Sequence, residues 1–364
     1  MNPYIYLRGL RHAEHTVFAV QNGQKFYTDV QFNVKQAYSS GQQVKRSIMD
    51  ALTSALNVMP APITFNWVIK KEGKTLDASQ REAWAPCDPA FVDQLLGGYM
   101  KAEKDNSVIK RRSPLSISAM RPLHPLLGGL EKEGELSTFD RTSHPTHHPV
   151  RVVDETGKLL SEEQLQEFLD TTGRNLSNRL LIKEANRASG LFVYDVCVDL
   201  RTLFCVSTNN LEPELSTATK ERLLAEGWQE TVNVFGPCLL APREQREQYI
   251  PALAHALLNW RITSNQARTF SLMETLAVAI SDNANHLAGA IRARLDEEIE
   301  RKAHPQLDDT AGAKLYVTLP ADGYIRGVKG GTANALEKAE QDLIERLQAF
   351  DYENQTIPAT AATR

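Results

Sequence analysis

Apolar and polar positions change rhythm several times along the chain, and each rhythm predicts an element. YIYLRG at 4–9 alternates as a half-buried strand does. HTVFAV and QKFYTDVQF flank Asn22-Gly23, a pair suited to the positive φ angles of a tight turn, so a hairpin is expected there. Ser39 or Ser40 can cap a helix in which Val44, Ile48, Leu52, Ala55 and Leu56 recur at three- and four-residue steps as one buried stripe. Met59-Pro60-Ala61-Pro62 ends that helix, and ITFNWVIK reads as a further strand.

From Glu72 to about Thr172 the texture turns polar and proline-rich with weak periodicity, which suggests an inserted functional region. Ser161-Glu162-Glu163-Gln164 has the form of a capping box opening a short helix, with Leu165, Phe168 and Leu169 on one face. Regularity returns at GLFVYDVCVDLRTLFCVSTN (190–209), a bent strand or a hairpin across Asp199–Arg201. Helices are expected near 214–226, 245–258 and 284–303, a strand at KLYVTL (314–319), then glycine-rich DGYIRGVKGGT and a last helix from about Thr332 to Ala349. The irregular alternation of strands and helices, with hairpin character early on, points to an α+β sheet with helices on one side. The expected divisions are 1–71, an insertion at 72–186, a second part of the same sheet at 187–350, and a flexible tail at 351–364.

Composition narrows the class without choosing a function. The 364 residues carry 41 Lys+Arg against 45 Asp+Glu, a net charge of −4, with 42% hydrophobic and 24% charged residues, as in an ordinary folded protein. No run approaches the roughly 18 apolar residues of a membrane span and no signal peptide opens the chain, so a cytoplasmic location is expected. Cys87, Cys197, Cys205 and Cys238 lack metal-pair spacing. A slightly acidic whole argues against generic nucleic-acid adhesion but leaves local patches open.

Several constellations could carry chemistry. Arg8 and Arg11 end the first strand, and SSGQQVKR (39–46) opens a helix whose free N–H groups, Ser39, Ser40, Gln42, Lys45 and Arg46 form a dense donor set for anions. Cations in the first helical turns oppose the macrodipole, so a docked anion would explain them. Arg326 and Lys329 lie in a glycine-rich loop that allows close phosphate approach but does not match a P-loop, which disfavours nucleotide hydrolysis. RITSNQARTFS (261–271) offers Asn265, Gln266 and Arg268 for phosphate and sugar oxygens. Lys101, Lys104, Lys110, Arg111, Arg112 and Arg121 make a local basic cluster. Asp140, His144, His147 and His148, with His124 nearby, could hold a metal, but Pro145 and Pro149 extend the segment and no helical ligand pattern exists, so a polar loop is favoured. Each group also has a plain reading as a solvated helix start, a glycine turn or a loop.

YIYLRGL, AYSSGQQVKRSIMDAL, TSNQAR and GYIRGVKGGT together resemble the backbone subunit of class 1 CRISPR effector complexes, the DevR-like Cas family; S-x-G-x-x-x-K-R is the most specific part. The resemblance covers about the first 60 residues and two later islands. It implies a modified RNA-recognition-motif palm with an inserted fingers region and a thumb-like hairpin. Copies would stack head to tail along a guide RNA, alongside other effector subunits, and present it for pairing with target DNA or RNA. The resemblance places Ser39, Ser40, Gln42, Lys45 and Arg46 on guide phosphates, with Arg8 and the glycine loop nearby. A non-catalytic scaffold without cofactors is expected. The alternatives are a subunit that also cleaves target RNA through Asp29, and a metal-dependent enzyme using the histidine-rich loop.

Overall fold

The computed structural model describes residues 2–18, 24–65, 67–72, 75–80, 83–102, 108–133, 136–140, 152–173, 179–182, 185–263, 269–328 and 330–355. In chain order, β1 (Tyr4–Thr16) leads to β2 (Phe26–Asp29), β3 (Val34–Ala37) and helix α1 (Gly41–Leu56). Next come β4 (Trp67–Glu72), β5 (Thr75–Gln80), α2 (Val92–Gly97), β6 (Tyr99–Ala102) and β7 (Val108–Arg111). They are followed by β8 (Leu115–Ile117), β9 (Arg121–Pro122), β10 (Gly128–Glu133), β11 (Leu136–Asp140), α3 (Glu162–Thr172), β12 (Arg179–Ile182) and the long β13 (Ala185–Asp199). The last part holds β14 (Cys205–Ser207), α4 (Thr217–Ala225), β15 (Gln229–Asn233), β16 (Gly236–Leu240), α5 (Arg243–Asn259) and β17 (Thr275–Ser281). After these come α6 (Ala284–Ala290), β18 (Ile291–Leu295), β19 (Ala303–Leu307), β20 (Lys314–Val317) and α7 (Ala335–Gln348).

The main sheet has β1 at its centre, antiparallel to β13 on one side and to β17 on the other, with β20 beyond β17. The far edge of β13 is covered in sections by β8, β9 and β10, so the inserted region supplies part of the main sheet. Side chains alternate across this sheet with period two. Ile5, Leu7, Phe192, Tyr194, Val196, Val278 and Ile280 share a core with Val44, Ile48 and Leu52 of α1, Leu253 and Leu257 of α5, and Leu343 and Leu347 of α7. Leu10, Leu191, Val193, Ala277 and Ala279 face the other way, into a smaller core closed by Leu287 and Ala290 of α6, Ala321 and Ile325. The mixed helix and sheet architecture is the expected α+β class.

Gly9 has a specific steric reason. A Cβ there would lie 2.3 Å from the Tyr194 ring. That ring packs edge-on against Trp260 at 5.0 Å, and its hydroxyl donates to the Leu257 carbonyl at 2.8 Å.

Several expectations change. β1 continues to Thr16 as one strand, and the partner of β2 is β3, not the preceding strand; Asn22-Gly23 lies outside the described residues. After Asp199 the chain turns away and β14 pairs with β16, so 190–209 is neither a hairpin nor a single bent strand. The expected 284–303 helix stops at Ala290, where I-R-A-R-L starts the β18–β19 hairpin; its Glu/Arg spacing imitates a helix, but its apolar residues alternate. Ala55 is exposed, with Met49 taking a place in the buried face of α1. Residues 351–355 are not a loose tail: Tyr352 is buried against Phe204, and Glu353 pairs with Arg246 at 2.6 Å. The capping box at Ser161–Gln164 forms as expected. Among the described residues no helix is long and apolar enough to cross a membrane.

Candidate nucleic-acid interface

The start of α1 is built tightly. Ser40 is the N-cap, its Oγ accepting from the Gln43 N–H at 3.4 Å. Ser39 exchanges backbone hydrogen bonds with Met120 at 2.9 and 3.0 Å, and its buried Oγ has no hydrogen-bond partner among the described residues. Gly41 packs against the same segment, where a Cβ would sit 3.1 Å from the Ile117 carbonyl. Gln42 is exposed.

The two cations of this helix have internal partners. Lys45 Nζ donates to the Gly97 carbonyl at the end of α2, and burial pushes its pKa below the usual lysine value. Arg46 pairs with Asp50 at 2.8 Å, one helical turn on, with the Arg46 side chain 61% exposed. A docked anion is therefore not needed to explain their placement: Lys45 satisfies the end of α2, and Arg46 completes an i,i+4 pair.

Arg8 and Arg11, grouped together in the sequence, lie on opposite faces of β1. Arg11 points into the larger core with 2% exposure, donating to the carbonyls of Trp260 at 2.8 Å and Leu258 at 2.9 Å. Its guanidinium sits 4.1 Å from the Trp260 ring centroid and 5.1 Å from that of Tyr194, and burial lowers its pKa. Arg11 thus ties the end of α5 to the sheet.

Arg8 faces the other way, bonding Asp195 at 2.6 and 3.2 Å and the Ile291 carbonyl at 3.1 Å. Arg121 meets the same carboxylate at 3.2 Å while its side chain remains 42% exposed. The Asp195 N–H donates to Ser118 Oγ at 2.8 Å, and residues 117–120 are the segment against which Ser39 and Gly41 pack. Two arginines share one carboxylate, leaving positive charge in excess beside the 117–120 segment.

A second convergence lies at the other end of β1. A cavity of about 380 Å³ is lined by Arg11, Trp260, Arg261, Glu274, Thr318 and Thr332, among others. It thus touches the segment leading into TSNQAR and both legs of the glycine loop. Arg261 donates to the Leu272 carbonyl at 2.7 Å, bridging the base of its own loop. Asn265, Gln266, Arg268 and Lys329 lie outside the described residues. Arg326 is exposed, with no ion pair among the described residues. Beside it the Tyr324 ring stacks on His12 at 4.0 Å, and both side chains meet Glu274 Oε1, at 3.1 and 3.0 Å.

Asp29 is occupied by its own turn, Oδ1 accepting from Gln31 N–H at 3.1 Å and Phe32 N–H at 2.8 Å. His124 is held by burial below its usual pKa, against an opposing pull from Asp29, and its Nδ1 accepts from the Leu126 N–H at 3.1 Å. Asp140 ends β11, and His144, His147 and His148 lie outside the described residues. No cluster of metal-ligating side chains occurs among the described residues.

Sequence reasoning missed Asp195, His12, Glu274 and Tyr324. The alternation of β1 carries part of that signal, since Arg8 and His12 are four residues apart on one face whereas Arg11 is three from Arg8.

No protein-family model matches the sequence, and no curated protein matches it. Among solved structures the chain is similar to a chain of a CRISPR RNA-guided surveillance complex in a pre-nicking state, at 11% identity over 98% of this chain and 97% of that one, TM-score 0.43. It is also similar to a chain of another CRISPR RNA-guided surveillance complex, at 12% identity over 95% of this chain and 84% of that one, TM-score 0.37.

Proposed function

We propose that this chain is a non-catalytic scaffold subunit of a class 1 CRISPR effector complex, gripping the backbone of a guide RNA and repeating head to tail along it. The topology supports this reading. A central β1 flanked by antiparallel β13 and β17, with α1 after β1 and α5 before β17 in one core, follows the split β-α-β plan of an RNA-recognition-motif palm. Three of the four motifs that resemble the family fall on its central strand, the helix that follows, and the loop after β20.

The observation that carries the proposal is the Arg8–Asp195–Arg121 band beside the 117–120 segment. It brings half-buried Arg121, through the 117–120 segment, beside the capped start of α1, where Gln42 is exposed. Such an arrangement positions phosphates without reading bases, as a guide with its bases free for pairing requires. Arg46 can exchange its exposed partner Asp50 for a phosphate at little cost. The internal turn bonds of Asp29 favour a structural role over a catalytic one.

The test is RNA affinity against salt for the full chain and for Arg121→Ala. Loss of one phosphate contact should weaken binding to all sequences alike and lower the slope of log K against log salt by about 0.7. An unchanged slope would remove this band from the interface.

A further inference from the structure

The glycine loop between β20 and α7 is held at three places. At its base the Thr332 N–H donates to the Val317 carbonyl at 2.9 Å, and Gly331 lies so close that a Cβ would come within 2.9 Å of the Thr318 carbonyl. On its first leg, Ile325 is buried in the smaller core, and its N–H donates to the Ala321 carbonyl at 2.9 Å. The third hold is Tyr324, half exposed, whose ring lies on His12 with 26° between the planes while its hydroxyl reaches Glu274. His12 is itself fixed by Glu274 at 3.0 Å, so β1, the residue preceding β17 and the loop meet in one polar and aromatic clasp.

Arg326 follows two residues on, exposed at the edge of a cavity of about 670 Å³ formed with the β18–β19 hairpin. That hairpin presents Asp296, Glu297 and Glu298 to the same cavity. Asp296 is paired with His304 at 2.5 Å, and Glu297 with Arg294. After Arg326 the chain turns on glycine, with Gly327 at φ +73° and Gly330 at φ +87°, left-handed conformations that glycine adopts without a Cβ penalty.

We propose that Tyr324 is a positioning residue: its clasp on His12 and Glu274 fixes where Arg326 is presented to an RNA phosphate and keeps it clear of the carboxylates at the hairpin turn. This rests on the RNA-scaffold reading and assigns the clasp a role within it. A ring stack with a hydroxyl anchor costs little entropy to hold, because a tyrosine side chain has few rotors.

The experiment is a double-mutant cycle on the full chain with a single-stranded RNA oligonucleotide of mixed sequence, measured by fluorescence anisotropy over a salt series. Arg326→Ala should lower the salt slope by about 0.7. Tyr324→Ala should produce the same loss although it removes no charge, and the double variant should lose no more than Arg326→Ala alone. Tyr324→Phe keeps the ring on His12 and should retain most of the slope, which preserves a readout if the alanine variant folds poorly. A full slope in Tyr324→Ala, or losses that add in the double variant, would overturn the proposal. So would normal binding by Arg326→Ala. If the wild-type chain bound no RNA at all, the scaffold reading itself would fail.

Discussion

Replacing Arg11 by alanine separates a structural arginine from an RNA-binding one. The side chain is almost wholly buried, and two carbonyls at the end of α5 depend on it. Stranding a buried carbonyl costs about 1–3 kcal/mol, and a desolvated guanidinium over an indole contributes about 2 kcal/mol. Relief of the burial penalty that already lowers the Arg11 pKa offsets part of this loss. The net expectation is a destabilisation of about 2–4 kcal/mol, read as a lower urea midpoint with the slope of the transition unchanged. At temperatures where the variant remains folded, RNA affinity and its salt slope should match wild type. Unchanged stability together with weaker, less salt-dependent RNA binding would refute the placement of Arg11 in the core.

Gly9→Ala should cost about 1–3 kcal/mol by overpacking the Tyr194 ring, visible as a lower thermal midpoint, and a neutral result would mean that ring can shift. Lys45→Ala removes the charged donor from the end of α2 and should cost about 1 kcal/mol in a denaturant titration. Asp296, held at about 2 mainly by His304, has a depressed carboxyl pKa. Its stabilising effect is therefore complete above the unfolded carboxylate range near pH 4 and lost as pH falls toward 2. Asp296→Asn should remove that part of the acid transition, and an unchanged acid profile would show that the pair contributes nothing.

The strands and helices were legible where one periodicity dominated. The cap at Ser40, the Val44–Ile48–Leu52 stripe and the Ser161 capping box need only neighbours in sequence. Local pattern failed where tertiary pairing decides. I-R-A-R-L resembles the middle of a charged helix until β19 supplies its partner, and the apolar run after Asp199 gives no sign that β14 will pair with β16. The candidate site was partly legible for a similar reason. Basic residues are conspicuous in sequence, but the carboxylates and carbonyls that occupy them are distant: Asp195 for Arg8, Gly97 for Lys45, Trp260 for Arg11. Strand alternation alone would have parted Arg8 from Arg11.

The central claim is that the chain holds guide RNA. The most direct measurement is to purify it with the products of its neighbouring genes, wash at moderately high salt, and sequence the nucleic acid that stays bound. RNA of one uniform length with a shared repeat-derived end is the predicted result, and that length divided by the footprint of one subunit gives the number of copies. A monodisperse protein free of nucleic acid would contradict the account.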